Sequence, residues 1–201
     1  MSRVRAQLRA MKAKAERRYT LRRRAESQDA TRRRIVQAAV DLHGTVGPAR
    51  TSVSAIAARA GVQRHTVYRH FPDESALFSA CTKHFLAQQP PPDIGRWRAI
   101  EDSGMRLRRG LAELYTYYER NEAMIAHVLR DSDTVPVGGG FRALQSNAAN
   151  ALQPRSKASQ GRQLRAVLAL ATDFHTWRTF FHAGLSSDDA ARAMAKLIQC
   201  G

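Results

Sequence analysis

The sequence predicts an all-α protein on three observations. Beyond residue 29, apolar residues recur at three- and four-residue spacing, the period of a helix with one buried face. Alternating runs of β-branched residues, the mark of half-buried strands, are absent. Glycine or proline closes several of the periodic segments. The first helix is expected from about Ala30 to His43, with Ile35, Ala39 and Leu42 on one face and Gly44, Gly47 and Pro48 at its end. A short helix from Val53 to Ala60 follows, with Ser52 as its N-cap. Gly61 breaks it, and a third helix, from about Gln63 to His70, stops at Phe71-Pro72. Asp73 caps a fourth that carries Leu77, Cys81, His84 and Phe85 along one side. Pro90, Pro91 and Pro92 cannot continue a helix and mark a boundary.

The second half has longer stripes. Leu107, Leu111, Leu114, Tyr115 and Tyr118 form one, and Met124, Ile125, Val128 and Leu129 form another after a break near Asn121. Thr134 to Gly140 is expected as a loop, Phe141 to Leu152 as a helix, and Pro154 to Gly161 as a second loop. The span from Arg162 to Ala183 is read as one helix that is apolar on more than one side and so must be covered from two directions. Gly184 ends it. Ser186 and Asp189 resemble a capping box that opens a last helix through Met194, Leu197 and Ile198. No internal repeat is visible.

The chain has 201 residues and a formal charge of +16, unevenly spread. Residues 1–28 hold ten Lys/Arg against two Glu, and residues 29–88 hold eight basic against four acidic side chains. Such asymmetry points to a polyanion. Two readings fit the basic arm at 1–28. It tracks phosphates or enters a minor groove, or it is a solvated tail or a stretch upstream of an alternative start at Met11. No window approaches eighteen consecutive apolar residues, so no membrane span or membrane partner is expected. Cys81 and Cys200, far apart and without a CxxC, suit a reducing cytoplasm and give neither a disulfide framework nor a metal site. His175 and His182 lie seven apart, too far for a helical metal pair. No phosphate-binding glycine loop, HExxH or GxSxG occurs, so neither an enzyme nor a cofactor is expected.

The stretch from Ser52 to Phe71 carries the functional signal. Two short helices cross closely only where the contact is small and the turn accepts an unusual backbone angle, and Ala57 and Gly61 supply both. Ile56, Ala60, Val62 and Val67 fall where the pair buries side chains, which leaves Arg64, His65, Thr66, Tyr68, Arg69 and His70 facing elsewhere. Guanidinium groups for guanine or phosphate, hydroxyls for phosphate and apolar area for a thymine methyl suit a helix that enters the major groove. The spacing is that of a helix-turn-helix.

The run Ile56-Ala57-(x3)-Gly61-Val62-(x3)-Thr66-Val67-Tyr68-(x)-His70-Phe71-Pro72-(x3)-Ala76-Leu77-Phe78, preceded by Thr51-Ser52-Val53, resembles the DNA-binding domain of the tetracycline-repressor (TetR) family. After the basic arm at 1–28, the resemblance implies a three-helix DNA-binding domain at 29–88 and a helical effector-binding and dimerisation domain at 93–201. It implies a homodimeric, bacterial, cytoplasmic and nucleoid-associated repressor that binds a double-stranded operator and is released by a small-molecule effector. Carried over by position, Ser52 and Ser54 would touch phosphate or a base edge, and Arg64, His65 and Thr66 would contact bases. Tyr68 and His70 would contact phosphates, and Arg69 would serve either purpose. Glu74 departs from the family pattern, which often has Lys there; a carboxylate repels phosphate but favours its own helix N-terminus. Tyr115, Tyr118, Met124, Phe141, Phe174, His175 and Trp177 are the candidates for an effector pocket, set against the reading that aromatic residues at helical spacing are plain core. The competing function is a basic architectural protein without sequence readout.

Overall fold

The structure is a computed structural model. It describes residues 2–135, 137, 139–154 and 161–200, with side chains from Arg17 to Gln199 within those ranges. Among the described residues there are eleven α-helices and no strand. The chain packs as two compact units, Met1–Asp41 with Ser52–Cys81, and Leu42–Thr51 with Thr82–Gly201.

In the first unit α1 spans Ser2–Thr45, α2 Val53–Ala60, α3 Arg64–His70 and α4 Glu74–Gln88, the outer ends of α1 and α4 belonging to the second unit. The sequence placed the start of α1 near Ala30, but the helix is continuous from Ser2. Residues 2–29 contain no Gly or Pro and are rich in Ala, Arg, Lys and Leu, all good helix formers. Apolar periodicity detects burial, and none of residues 17–34 is buried, so the pattern missed this part of the helix. The core consists of Ile35, Val36, Ala39 and Val40 of α1, Ile56, Ala57 and Ala60 of α2, Val67 of α3, and Phe71, Leu77 and Cys81.

In the second unit α5 spans Ile94–Ala99, α6 Ser103–Arg120, α7 Glu122–Asp131, α8 Gly139–Leu152, α9 Arg162–Ala171, α10 Phe174–His182 and α11 Ser187–Cys200. Helix α5 has no counterpart in the sequence reading. Asp93 caps it by accepting from the Gly95 amide, and its Trp97 is fully buried. The break at Asn121 falls where the sequence placed it. The Ser186 hydroxyl accepts from the Asp189 amide at 3.1 Å, as the expected capping box requires. Helices α6 and α11 run antiparallel, because Glu119 meets Ser187 at one end and Gly104 approaches Gln199 at the other. A Cβ at Gly110 would lie 2.5 Å from Leu152 and 3.1 Å from Trp97, so this glycine lets α6 approach α5 and α8 closely. Arg106 is buried beneath them, donating to the Ile100 carbonyl at 2.6 Å and the Gln153 carbonyl at 3.1 Å, just past the ends of α5 and α8. Of the second expected loop, residues 155–160 lie outside the described residues.

The single helix expected over 162–183 is two helices. Asp173 interrupts it by accepting from the amides of His175 and Thr176, the N-cap of α10. The carbonyls of Ala171 and Thr172 accept from the buried hydroxyls of Tyr115 and Tyr118, each at 2.7 Å. Burial pushes both phenol pKa values up, so each hydroxyl keeps its proton for that bond.

Candidate nucleic-acid interface

Helix α2 starts where Ser52, in extended backbone, accepts from the Ala55 amide at 3.1 Å through its side chain. It ends at Gly61, whose φ of 65° and ψ of 39° are left-handed. The amide of Val62 then returns to the Ala57 carbonyl at 3.0 Å, a Schellman-type closure that sends the chain straight into α3. Space around a Cβ at Gly61 is open, so the glycine is required by its backbone angle and by no close neighbour.

Val67 anchors α3 in the core, and the rest of the helix turns outward. Ser52, Ser54, Arg64, His65, Tyr68 and Arg69 are exposed, while Thr66 and His70 are half-buried. The Arg64 guanidinium donates to the Tyr68 hydroxyl at 3.1 Å and lies 5.6 Å from its ring centroid, so these two side chains form one pre-ordered pair. Nε2 of His70 is buried without a hydrogen-bond partner. Burial, then the charges of Arg69 and Arg32, lower the His70 pKa and favour a neutral ring. Of the eight side chains expected at DNA, six are thus exposed and two are half-buried.

Two positioning contacts escaped the sequence reading. Arg32 donates to the His70 carbonyl at 3.0 Å and stands 4.1 Å above the Phe71 ring. It fastens α1 to the C-terminal end of α3, where carbonyls lack helical partners and a cation is favoured. A single carboxylate oxygen of Asp41, Oδ2, accepts from both Nε and Nη2 of Arg59, at 3.1 and 2.9 Å, and ties α1 to α2. The basic residue near a helix end was the available signal for Arg32; its partner, 38 residues away, was not. Glu74 is exposed in the first turn of α4, beside Asp73, which accepts from the Ala76 amide at 2.7 Å.

In the second unit Tyr115, Tyr118, Phe174 and Trp177 are fully buried and packed ring against ring, with Phe141 5.6 Å from Tyr118. Met124 stands apart from this cluster, near Gly44, and His175 is exposed beside Phe174. A surface groove of about 380 Å³ is lined by other residues, including Pro90, Pro92, Thr116, Arg120 and Asp188. Among the described residues no helix is long and apolar enough to cross a membrane, and no group of three or more His, Cys, Asp or Glu is placed to hold a metal ion.

A family model described as bacterial regulatory proteins, tetR family, matches residues 35–81. The HTH-type transcriptional repressor Rv3405c of Mycobacterium tuberculosis is 31% identical over 155 residues, 73% of this chain and 71% of the relative. The HTH-type transcriptional regulator Mb3439c of Mycobacterium bovis matches to the same extent. Two solved structures share the fold. A tetR-family transcriptional regulator from Streptomyces coelicolor gives a TM-score of 0.53 at 19% identity, over 85% of this chain and 78% of that one. A TetR-like transcriptional regulator from Rhodococcus sp. RHA1 gives 0.56 at 17% identity, over 84% and 93%. With its left-handed turn at Gly61 and the open face of α3, the chain belongs to the tetR family of bacterial regulatory proteins and is a helix-turn-helix, sequence-specific DNA-binding transcriptional regulator.

Proposed function

We propose that the chain acts as a homodimeric repressor at the bacterial nucleoid, with residues 29–88 reading an operator and residues 93–201 binding a small-molecule effector that releases it. Arg64, His65 and Thr66 are assigned to base edges, Tyr68 and His70 to phosphates, Arg69 to either, and Ser52 and Ser54 to phosphate or a base edge at the start of α2. The observation that carries this reading is the α3 face, where Arg64, His65, Tyr68 and Arg69 stand exposed around the buried anchor Val67. Bidentate Arg-to-guanine contacts are the commonest specific readout, each discriminating by about 1–3 kcal/mol.

The effector is assigned to the aromatic cluster of Tyr115, Tyr118, Phe141, Phe174 and Trp177, with His175 beside it and Met124 outside it near Gly44. Support comes from the Trp177 indole N–H, which is buried without a partner and suits a hydrogen-bond acceptor on an apolar or aromatic molecule. Exposed Leu170 of α9 and Leu197 of α11 supply apolar area for pairing two copies.

Selection of bound fragments from genomic DNA tests the central assignment. The expected product is a palindrome whose half-sites lie about one helical turn apart, retained by a species of twice 22.4 kDa in sedimentation equilibrium. An Arg64→Ala change should relax preference at one position per half-site. Recovery of no enriched sequence overturns the operator reading and favours charge-driven binding without readout.

A further inference from the structure

The first turns of α1 are absent from the assignments above. From Arg17 to Ala30 every residue of this helix is exposed. Residues 1–28 carry ten Lys/Arg and two Glu, too few carboxylates to neutralise the cations from within. One carboxylate is engaged in the Arg22–Glu26 pair at 2.8 Å. Like charges four apart, such as Arg18 and Arg22, destabilise a helix, so an external polyanion relieves a strain built into the segment. At 100° per residue, Arg17, Arg18, Arg22, Arg23 and Arg24 fall around the whole circumference. A membrane-surface helix instead gathers cations on one face and apolar residues on the other. Cations on all sides suit a cleft walled by negative charge on both sides. A helix with its side chains is about 10–12 Å across, and the major groove of duplex DNA is about 12 Å wide between two phosphate backbones.

We propose that residues 2–28 form a second DNA-binding element, a basic helical rod that seats between the phosphate walls of a groove beside the operator half-site and adds affinity without reading sequence. The occupant follows from continuity as well as charge. The same helix runs on to Arg32, which holds the end of α3, so the rod is fixed to the recognition helix without a flexible joint. About 27 residues at 1.5 Å each span roughly 40 Å, slightly more than one turn of duplex. This inference rests on the assignment of α3 to DNA, and its test separates the two.

The test compares the full chain with R17Q/R18Q/R23Q/R24Q, which spares the Arg22–Glu26 pair, on a mixed-sequence duplex of about 40 base pairs across a range of salt. Each neutralised phosphate contributes about 0.9 to the slope of log affinity against log salt. The expected slope is shallower by roughly 2 to 4 in the variant, with the far-UV spectrum of the protein unchanged. Trimming a selected operator to about 20 base pairs, enough for two half-sites, should weaken the full chain and leave the variant unaffected. Equal slopes for the two proteins overturn the proposal. So does variant-sensitive binding to anionic phosphatidylserine vesicles with no slope difference on DNA, which would assign the rod to a membrane. If the slopes differ while no sequence is enriched, the rod stands and the operator reading falls.

Discussion

His43, near the end of α1, makes the second unit sensitive to acid. It is buried, and burial lowers its pKa to about 4, with partial opposition from the nearby Asp131. Between about pH 6.5 and 4 the unfolded chain binds a proton that the folded chain refuses, so the stability conferred by neutral His43 is complete above 6.5 and lost as pH falls through 4. Asp131 acts lower. The hydrogen bond from Arg130 holds its carboxyl below the usual value of 3.8, helped by the Ala49 amide, so its contribution persists above 3.8 and fades below. His43→Gln should therefore flatten the dependence of Tm on pH between 6.5 and 4 without changing it below 3.8, as read by thermal melts in matched buffers. An unaltered slope in the upper window would remove His43 from this account. Residues whose role depends on local spacing were legible in the sequence: Ala57, Gly61 and Val67 occupy the close contact, the turn and the anchor expected of them. Arg32 was not, because its role is set by a carbonyl distant in sequence.

The break between α9 and α10 shows what governs helices in this chain. Thr172 and Asp173 favour capping over helix continuation, and two tyrosine hydroxyls from α6 donate to the buried carbonyls at the break. Tyr115→Phe leaves the Ala171 carbonyl buried without that donor, and an unsatisfied buried group costs about 1–3 kcal/mol. For a chain of this size each kcal/mol lowers Tm by about 2–4 °C. Tyr118→Phe should cost less, because Gln145 also approaches the Thr172 carbonyl at 3.3 Å. Equal Tm values for Tyr115→Phe and the parent would show that the hydroxyl is not needed at the break. The same reasoning explains which elements periodicity found. It located α2 and α6, whose buried faces repeat over their length, whereas α3, with one buried anchor, was bounded by Gly61 and Phe71-Pro72. It missed α5, six residues with a single buried anchor, and the exposed part of α1, which has no buried face to repeat.

For the molecule as a whole, half of the charge of +16 lies in residues 1–28 and a quarter in residues 29–88, and only the latter segment carries a motif. That motif made the class of function readable from the sequence, since a helix-turn-helix is defined by local geometry. The proposed effector site was less readable, because aromatic residues at helical spacing look the same whether they fill a core or surround a ligand. Cys81 provides a means of following DNA binding. Its sulfur is buried in the first unit and burial pushes the thiol up to about 12, so it resists alkylation while that unit is closed. In a Cys200→Ser chain, the rate of labelling by a soluble maleimide then measures how often the DNA-reading unit opens. A duplex that binds only the closed form, supplied at about a hundred times its Kd, should slow labelling about a hundredfold; an unchanged rate would mean that the thiol is reached without opening the DNA-binding face. The cysteine thus serves as an internal clock for operator occupancy, timed by chemistry at a residue that never meets the DNA.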